Sequence, residues 1–268
     1  MNLIELKKLI KKTGAHARKT FSQNFLHNEY TLAKIAESIP QDSGFYIEIG
    51  GGLGSLTEFA VKKKLFPLKV IDIDDRMLEV LQQRFFQDAE IVKADGAKLD
   101  LSDQTGKKGV IFGNLPYQVS SPVVLNTCYQ SSKLEGAVFL LQKEVAEKFC
   151  ALPGARDFGP VAALIRKVGV AEYLFTVEPE DFYPAPKVHS AVVKIKYNDH
   201  NFEKAELKKF ADAMRVLFSN RRKTLSNVFK INRLDPEILE NFNYAKMRSE
   251  ELSWEAILQI AEYIGRMK

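Results

Sequence analysis

A chain of 268 residues, 46% of them hydrophobic, can fill the core of one large domain and a smaller one, which excludes a disordered or fibrous polymer. Two cysteines, Cys128 and Cys150, exclude a disulfide framework, and the four scattered histidines offer no ligand spacing, so no metal is expected. The formal net charge of +5 is concentrated in two basic segments, which points to a polyanionic partner held at defined places rather than to a uniformly sticky surface.

Residues 1–28 read as a basic N-terminal arm. Lys7, Lys8, Lys11, Lys12, Arg18 and Lys19 face a single acid, Glu5, and the stretch ends in the aromatic segment Phe21-Ser22-Gln23-Asn24-Phe25-Leu26. It lacks a signal-peptide core, and no apolar run approaches the roughly 20 residues of a membrane span, so the expected location is the cytoplasm, with no membrane contact.

From Thr31 onward short apolar runs alternate with amphipathic ones. The spacing predicts a helix over 31–39, a strand over 46–49, a helix over 56–64, a strand over 69–73 and a helix over 77–86. Strands follow at 90–93 and 110–112, then a helix near 123–129, a strand at 137–141 and helices at 143–150 and 161–168. This alternation implies an α/β, Rossmann-like parallel sheet covered on both faces. Strands at 171–177 and 190–197 without an intervening helix are expected to add an antiparallel edge. After the polar break Asn198-Asp199-His200-Asn201 every periodic segment is helical: 204–218, 224–229, 236–239 and 254–264. The chain is therefore divided into the arm (1–28), a sheet domain (29–200) and a small all-helical C-terminal domain (201–268). Arg215, Arg221, Arg222, Lys223, Lys230 and Arg233 form the second basic segment, in that last part.

Glu48-Ile49-Gly50-Gly51-Gly52-Leu53-Gly54 lies between the first strand of the sheet and its helix. Glycines such as Gly50 and Gly52 let the backbone turn sharply beside a ligand at the helix N-terminus, as in both NAD and S-adenosylmethionine enzymes. The next strand ends in Asp72, placed to accept both hydroxyls of a ribose. The third is followed by Asp95, placed to accept from an adenine amino group, and by Gly96, which leaves room for the ring. Asp74 and Asp75 read instead as a helix cap and a solvated charge.

The fourth strand end decides between the cofactors. It carries Asn114-Leu115-Pro116-Tyr117 and no proton donor of the kind a hydride-transfer site wants. Adenine's amino group is a poor nucleophile because its lone pair is delocalised into the ring. Acceptance of its two N–H bonds by the Asn114 side-chain oxygen and the Leu115 carbonyl would favour a pyramidal nitrogen, whose lone pair then points at a sulfonium methyl. Pro116 fixes the backbone that aims the carbonyl, and Tyr117 offers a ring to stack on the base. Alignment and stabilisation of developing charge supply the rate enhancement, with no strong general base. The target base must be unpaired or flipped out. Phe182 or Tyr183, in the proline-stiffened stretch Phe182-Tyr183-Pro184-Ala185-Pro186-Lys187-Val188, offers a second aromatic wall.

These stretches, with Leu141-Gln142-Lys143-Glu144-Val145-Ala146 and Phe218-Ser219-Asn220-Arg221-Arg222-Lys223-Thr224-Leu225, resemble the KsgA/RsmA family of ribosomal RNA adenine dimethyltransferases, with its Erm and eukaryotic Dim relatives. The match runs from roughly Ala17 to the C-terminus. The resemblance implies that S-adenosylmethionine donates methyl groups to two adjacent adenines in the 3′-terminal hairpin loop of 16S (small-subunit) rRNA, late in ribosome biogenesis, by a monomeric enzyme. It places cofactor contacts on Asn24, Leu26, Gly50, Asp72, Asp95 and Asn114, the base sandwich on Tyr117 and Phe182, and an rRNA backbone contact on Arg221, Arg222 and Lys223 at the start of a basic helix. Gly51 stands where relatives often carry proline, Asp72 where many carry glutamate, and His189 where aspartate is common. The alternatives are an Erm-type large-subunit rRNA methyltransferase, an assembly factor with a vestigial pocket, and an NAD-dependent dehydrogenase.

Overall fold

A computed structural model describes residues 1–14, 24–241 and 243–267. The helices are α1 (Leu3–Thr13), α2 (Glu29–Ser38), α3 (Ser55–Lys62), α4 (Asp75–Phe85), α5 (Ser120–Tyr129), α6 (Lys143–Cys150), α7 (Pro160–Val168), α8 (Lys204–Leu217), α9 (Leu225–Ile231), α10 (Glu237–Asn241) and α11 (Trp254–Met267). The strands are β1 (Phe25–Leu26), β2 (Tyr46–Ile49), β3 (Leu68–Asp72), β4 (Glu90–Lys93), β5 (Gly109–Asn114), β6 (Leu134–Gln142), β7 (Gly169–Val177), β8 (Phe182–Tyr183) and β9 (Ser190–Tyr197).

Seven strands form one sheet in the order β4-β3-β2-β5-β6-β9-β7. The first five are parallel, and β9 runs against both neighbours, as expected for the antiparallel edge. β2 is buried at every position, and β5 at every position but its last, because helices cover both faces. From β2 the chain winds outward through β3 and β4, then returns to β5 on the other side of β2. That reversal leaves a crevice between the carboxyl ends of β2 and β5, where ligands of open α/β sheets sit.

The C-terminal helices do not stand apart from the sheet. Leu207, Met214 and Ile257 belong to the same continuous buried cluster as Ile111, Phe139 and Ile165. A division at residue 200 therefore cuts the chain but not the core.

Two expectations are corrected. The segment read as a basic arm contains a packed helix: Asn2 caps α1 through a reciprocal box with Glu5, Gly14 closes it in the left-handed conformation, and Leu6 and Ile10 are buried. Its apolar side shares a cluster with Phe25, Leu53, Met77 and Val80. Phe21-Ser22-Gln23, together with Arg18 and Lys19, lies outside the described residues. Arg221, Arg222 and Lys223 do not begin a helix. They occupy the turn between α8 and α9, because the α9 N-cap is Thr224. A feature with no local signature is the two-residue antiparallel ladder β1–β8, which pairs Phe25 with Tyr183 and Leu26 with Phe182.

Candidate active site

The crevice is a cavity of about 290 Å³ walled by the ends of β2, β3 and β5, the start of α3 and the β1–β8 ladder. It lies close to the lower end of the range usual for small-molecule sites, about 300 Å³. Asn24, Leu26, Gly50, Gly52, Asp72, Asp95, Asn114, Leu115, Pro116, Tyr117 and Phe182 all line it. Every residue expected to touch donor or base is thus brought to one place, whereas the cations Arg221, Arg222 and Lys223 are not part of its lining.

The glycine loop is set by close packing. Gly50 and Gly52 hold φ of +74° and +54°, which L side chains rarely adopt. A Cβ on Gly51 would approach Val70 Cγ1 to 2.4 Å, with Leu81 beside it, so the glycine there matches a Val–Leu wall with no room for a side chain. The Gly50 N–H donates to the Ile71 carbonyl (2.8 Å), which fastens the loop to β3.

Asp72 ends β3 nearly buried, at 8% exposure. Its two oxygens accept from Gly52 N–H and Asp74 N–H, both at 2.9 Å, so the carboxylate joins the loop to the turn after β3. Burial raises its pKa, and the backbone donors oppose that shift. Asp95 caps a short 3-10 turn, its Oδ1 accepting from Ala97 N–H (3.0 Å). Gly96 lines the cavity, and a Cβ there would meet Ile49 Cγ2 at 2.4 Å, so the glycine also admits the Ile49 side chain. Asp74 and Asp75 take the roles read for them, Asp74 as the α4 cap paired with Arg76 and Asp75 as a surface partner of Lys93.

Two polar groups in the wall were not singled out in the sequence. Glu48, in the middle of β2, is buried, accepts a 2.6 Å hydrogen bond from the Thr57 hydroxyl, and has its pKa pushed up to about 8 by burial. A carboxyl inside a short apolar strand is the signal that could have found it. Ser55 opens α3 behind Gly54, which makes no side-chain cap. Its Oγ is buried and has no hydrogen-bond partner among the described residues. An orphan hydroxyl beside the unpaired amides of a helix start fits the polar end of a ligand seated in the cavity.

At the end of β5, the Asn114 side-chain Nδ2 donates to the Asn24 carbonyl (3.2 Å). That bond uses the amide's N–H side, so Oδ1 is the atom able to accept. The Leu115 N–H is held by the Leu140 carbonyl (3.1 Å), and the Pro116 carbonyl accepts from Val119 N–H (3.1 Å), so the turn is fixed on both sides. The Tyr117 hydroxyl meets Ser190 Oγ at 3.0 Å, which locks the ring, and burial raises its pKa. Phe182 is buried at 4% exposure while Tyr183 is 38% exposed, which selects Phe182 as the inward-facing ring of the pair. His189 Nε2 lies 3.0 Å from Glu178 Oε2 on the surface, so an acid from a neighbouring turn stands beside the histidine.

Arg221 is partly buried and its guanidinium donates to the main-chain carbonyls of Arg156 (2.8 Å) and Phe158. It ties two loops together, while Arg222 and Lys223 are exposed. Among the described residues no group of acidic, histidine or cysteine side chains could hold a metal ion, and no helix is long and apolar enough to cross a membrane.

Comparison with known proteins adds four findings. The family model for ribosomal RNA adenine dimethylase matches residues 14–266, beginning one residue after α1 ends. A curated relative from Campylobacter hominis, named ribosomal RNA small subunit methyltransferase A, is 36% identical over 84% of this chain and 86% of its own. One of the same name from Desulfitobacterium hafniense is 37% identical over 81% of this chain and 79% of its own. Among solved structures, a dimethyladenosine transferase from Plasmodium falciparum superposes with a TM-score of 0.70 at 24% identity, over 88% of this chain and 95% of that one, which supports the fold.

Proposed function

The chain belongs to the ribosomal RNA adenine dimethylase family, and from that premise we propose that it methylates the exocyclic amino groups of two adjacent adenines in the 3′-terminal hairpin loop of small-subunit rRNA, acting as a monomer. As a member it is an rRNA adenine N6,N6-dimethyltransferase that uses S-adenosylmethionine. The small-subunit substrate is supported by the names of the curated relatives. The observation that carries the reading is the Asn114 side chain, fixed through its Nδ2 by the Asn24 carbonyl in a pocket also lined by Asp72 and Asp95.

When bound, S-adenosylmethionine supplies an electrophilic methyl on a sulfonium sulfur. The pocket fits such a group: Asp72 and Asp95 are acceptors for ribose and adenine, and Ser55 Oγ with the α3 amides can take a carboxylate. Asn24 and Leu26 close the site from the β1 side. Asn114 Oδ1 and the Leu115 carbonyl accept the two N–H bonds of the target amine, which frees its lone pair for in-line attack. Tyr117 and Phe182 hold the flipped base between rings. Water can take the proton from the product, because the methylated ammonium-like nitrogen is acidic. These residues lower the barrier by alignment and by placing acceptors where positive charge develops.

The test is methyl incorporation from labelled S-adenosylmethionine into small subunits of a strain lacking the enzyme, followed by primer extension. Two adjacent stops near the rRNA 3′ end are expected. Labelling of a large-subunit adenine, or none at all, would overturn the assignment.

A further inference from the structure

Ahead of the residues that the family model matches stands α1, which packs against the wall of the cavity and carries a row of lysines. One side of the helix is consumed by the core: Leu6 and Ile10 are buried against Phe25 and Leu53, both of which line the cavity. The opposite side carries Lys7, Lys8, Lys11 and Lys12, all exposed. Lys7 and Lys11 lie one turn apart, as do Lys8 and Lys12, so the four ammonium groups form a single patch. No acid of the described residues forms an ion pair with any of them, and the one acid on the helix, Glu5, is engaged at the cap by Asn2 N–H (2.9 Å).

The patch is registered to the site by a contact. Lys7 Nζ sits 5.0 Å from the centroid of the Tyr183 ring, a cation–π distance. Tyr183 is the exposed β8 neighbour of Phe182 and pairs with Phe25, and both Phe182 and Phe25 line the cavity, so the lysine stands on the outer side of the ladder that walls the site. An RNA that delivers an unpaired adenine to this pocket must run its phosphates past the entrance, and a patch of unpaired cations there meets them with complementary charge.

We propose that the Lys7/Lys8/Lys11/Lys12 face of α1 binds the phosphate backbone next to the target adenine. The proposal rests on the RNA-methyltransferase reading above. It differs from a solvated helix face in requiring that these lysines release counterions when RNA binds.

The test uses the full chain and labelled small-subunit rRNA, with binding measured by filter retention between 50 and 200 mM salt. The K7A/K11A variant is expected to bind about tenfold more weakly and to flatten the dependence of log K on log salt by about 1.4–1.8, the contribution of two phosphate contacts. K7R/K11R, which keeps the charge, is expected to restore both. Melting temperature and S-adenosylmethionine affinity are expected to stay unchanged, which separates a contact from a packing role. Equal affinity and slope for K7A/K11A and the unmodified chain would overturn the proposal while leaving the enzyme reading intact. So would loss of attachment to anionic vesicles with RNA binding unaltered. Failure of the unmodified chain to bind rRNA at all would overturn both.

Discussion

The side-chain amide of Asn114 donates its hydrogen bond to the main-chain carbonyl of Asn24, 90 positions earlier in the chain. The Asn114–Tyr117 turn is therefore oriented by the segment that enters from the N-terminus, and the orientation of one amide decides which of its atoms faces the cavity. Asn114→Ala is expected to lower methyl transfer by about 10²–10³ or more, since it removes an acceptor aimed at developing charge. S-adenosylmethionine affinity, measured by calorimetry on the same preparation, should change by less than about threefold, because most donor contacts remain. Turnover close to that of the unmodified enzyme would remove Asn114 from the chemistry.

Asp72 joins the glycine loop to the turn after β3 through two backbone N–H donors. In Asp72→Asn one oxygen becomes an N–H that meets a backbone donor, and the charge that would strengthen bonds to a ribose is gone. Hydrogen bonds to charged groups contribute about 1.5–3 kcal/mol, so donor affinity should fall about tenfold to a hundredfold. Titration calorimetry reads this directly, and an unaltered dissociation constant would rule the contact out.

Glu48 gives a pH signature. Its carboxyl titrates near 4.5 when unfolded and near 8 when folded, because burial disfavours the charge. Between those values the folded state holds a proton that the unfolded state has lost. Its contribution is thus fully present below about 4.5 and is lost as pH rises towards 8, by up to about 1.4 kcal/mol per pH unit. Glu48→Gln keeps an acceptor for the Thr57 hydroxyl and cannot titrate. Melting curves from pH 5 to 8 should show the unmodified protein losing stability relative to the variant; parallel profiles would show that Glu48 ionises normally.

Gly51 faces Val70 and Leu81 where a Cβ has no room. Gly51→Ala should cost about 1–3 kcal/mol by overpacking. Val70→Ala, destabilising alone, should be partly rescued by it, since the new methyl group occupies the space that the valine leaves. A double-mutant cycle on thermal unfolding gives the coupling, and strict additivity would show that the two sites do not touch.

Adjacent arginines should behave oppositely. Arg221→Ala strips the donors from the carbonyls of Arg156 and Phe158 and is expected to cost about 1–3 kcal/mol of stability. Arg222→Ala should leave the melting temperature in place and reduce the salt slope of rRNA binding by about 0.7–0.9. The reverse pattern would return Arg221 to the RNA surface.

Much of this was legible from local pattern. The strands at 46–49, 90–93 and 190–197 and the helix at 143–150 have the bounds that their periodicity gives, because each apolar run is closed by turn residues. The site residues converge because they sit at the carboxyl ends of adjacent strands, a consequence of topology that the βαβ alternation already implies. What escaped has physical causes. Helix α1 carried its signals in view, Asn2 and Glu5 at its start and Gly14 at its end, but lysines on the exposed side masked the Leu3-Leu6-Ile10 stripe. The β1–β8 pairing has no local signature, since two residues bond two others more than 150 positions away. Arg221 read as a surface charge because nothing nearby in sequence announces that the loop at 156–158 folds back to meet it.

That short ladder also sets a kinetic constraint. Dimethylation needs the spent donor replaced before the second methyl can reach the same adenine. Leu26 and its partner Phe182 both line the cavity, and in the proposed reading the first faces the donor and the second the base, so the strand pair would act as a shared jamb between two doors. Any displacement of β1 that widens the exit for the spent donor pulls on the wall that grips the base. On that reading the interval between first and second methylation is tied to the grip on the substrate, and loosening either strand should shift the ratio of singly to doubly methylated product.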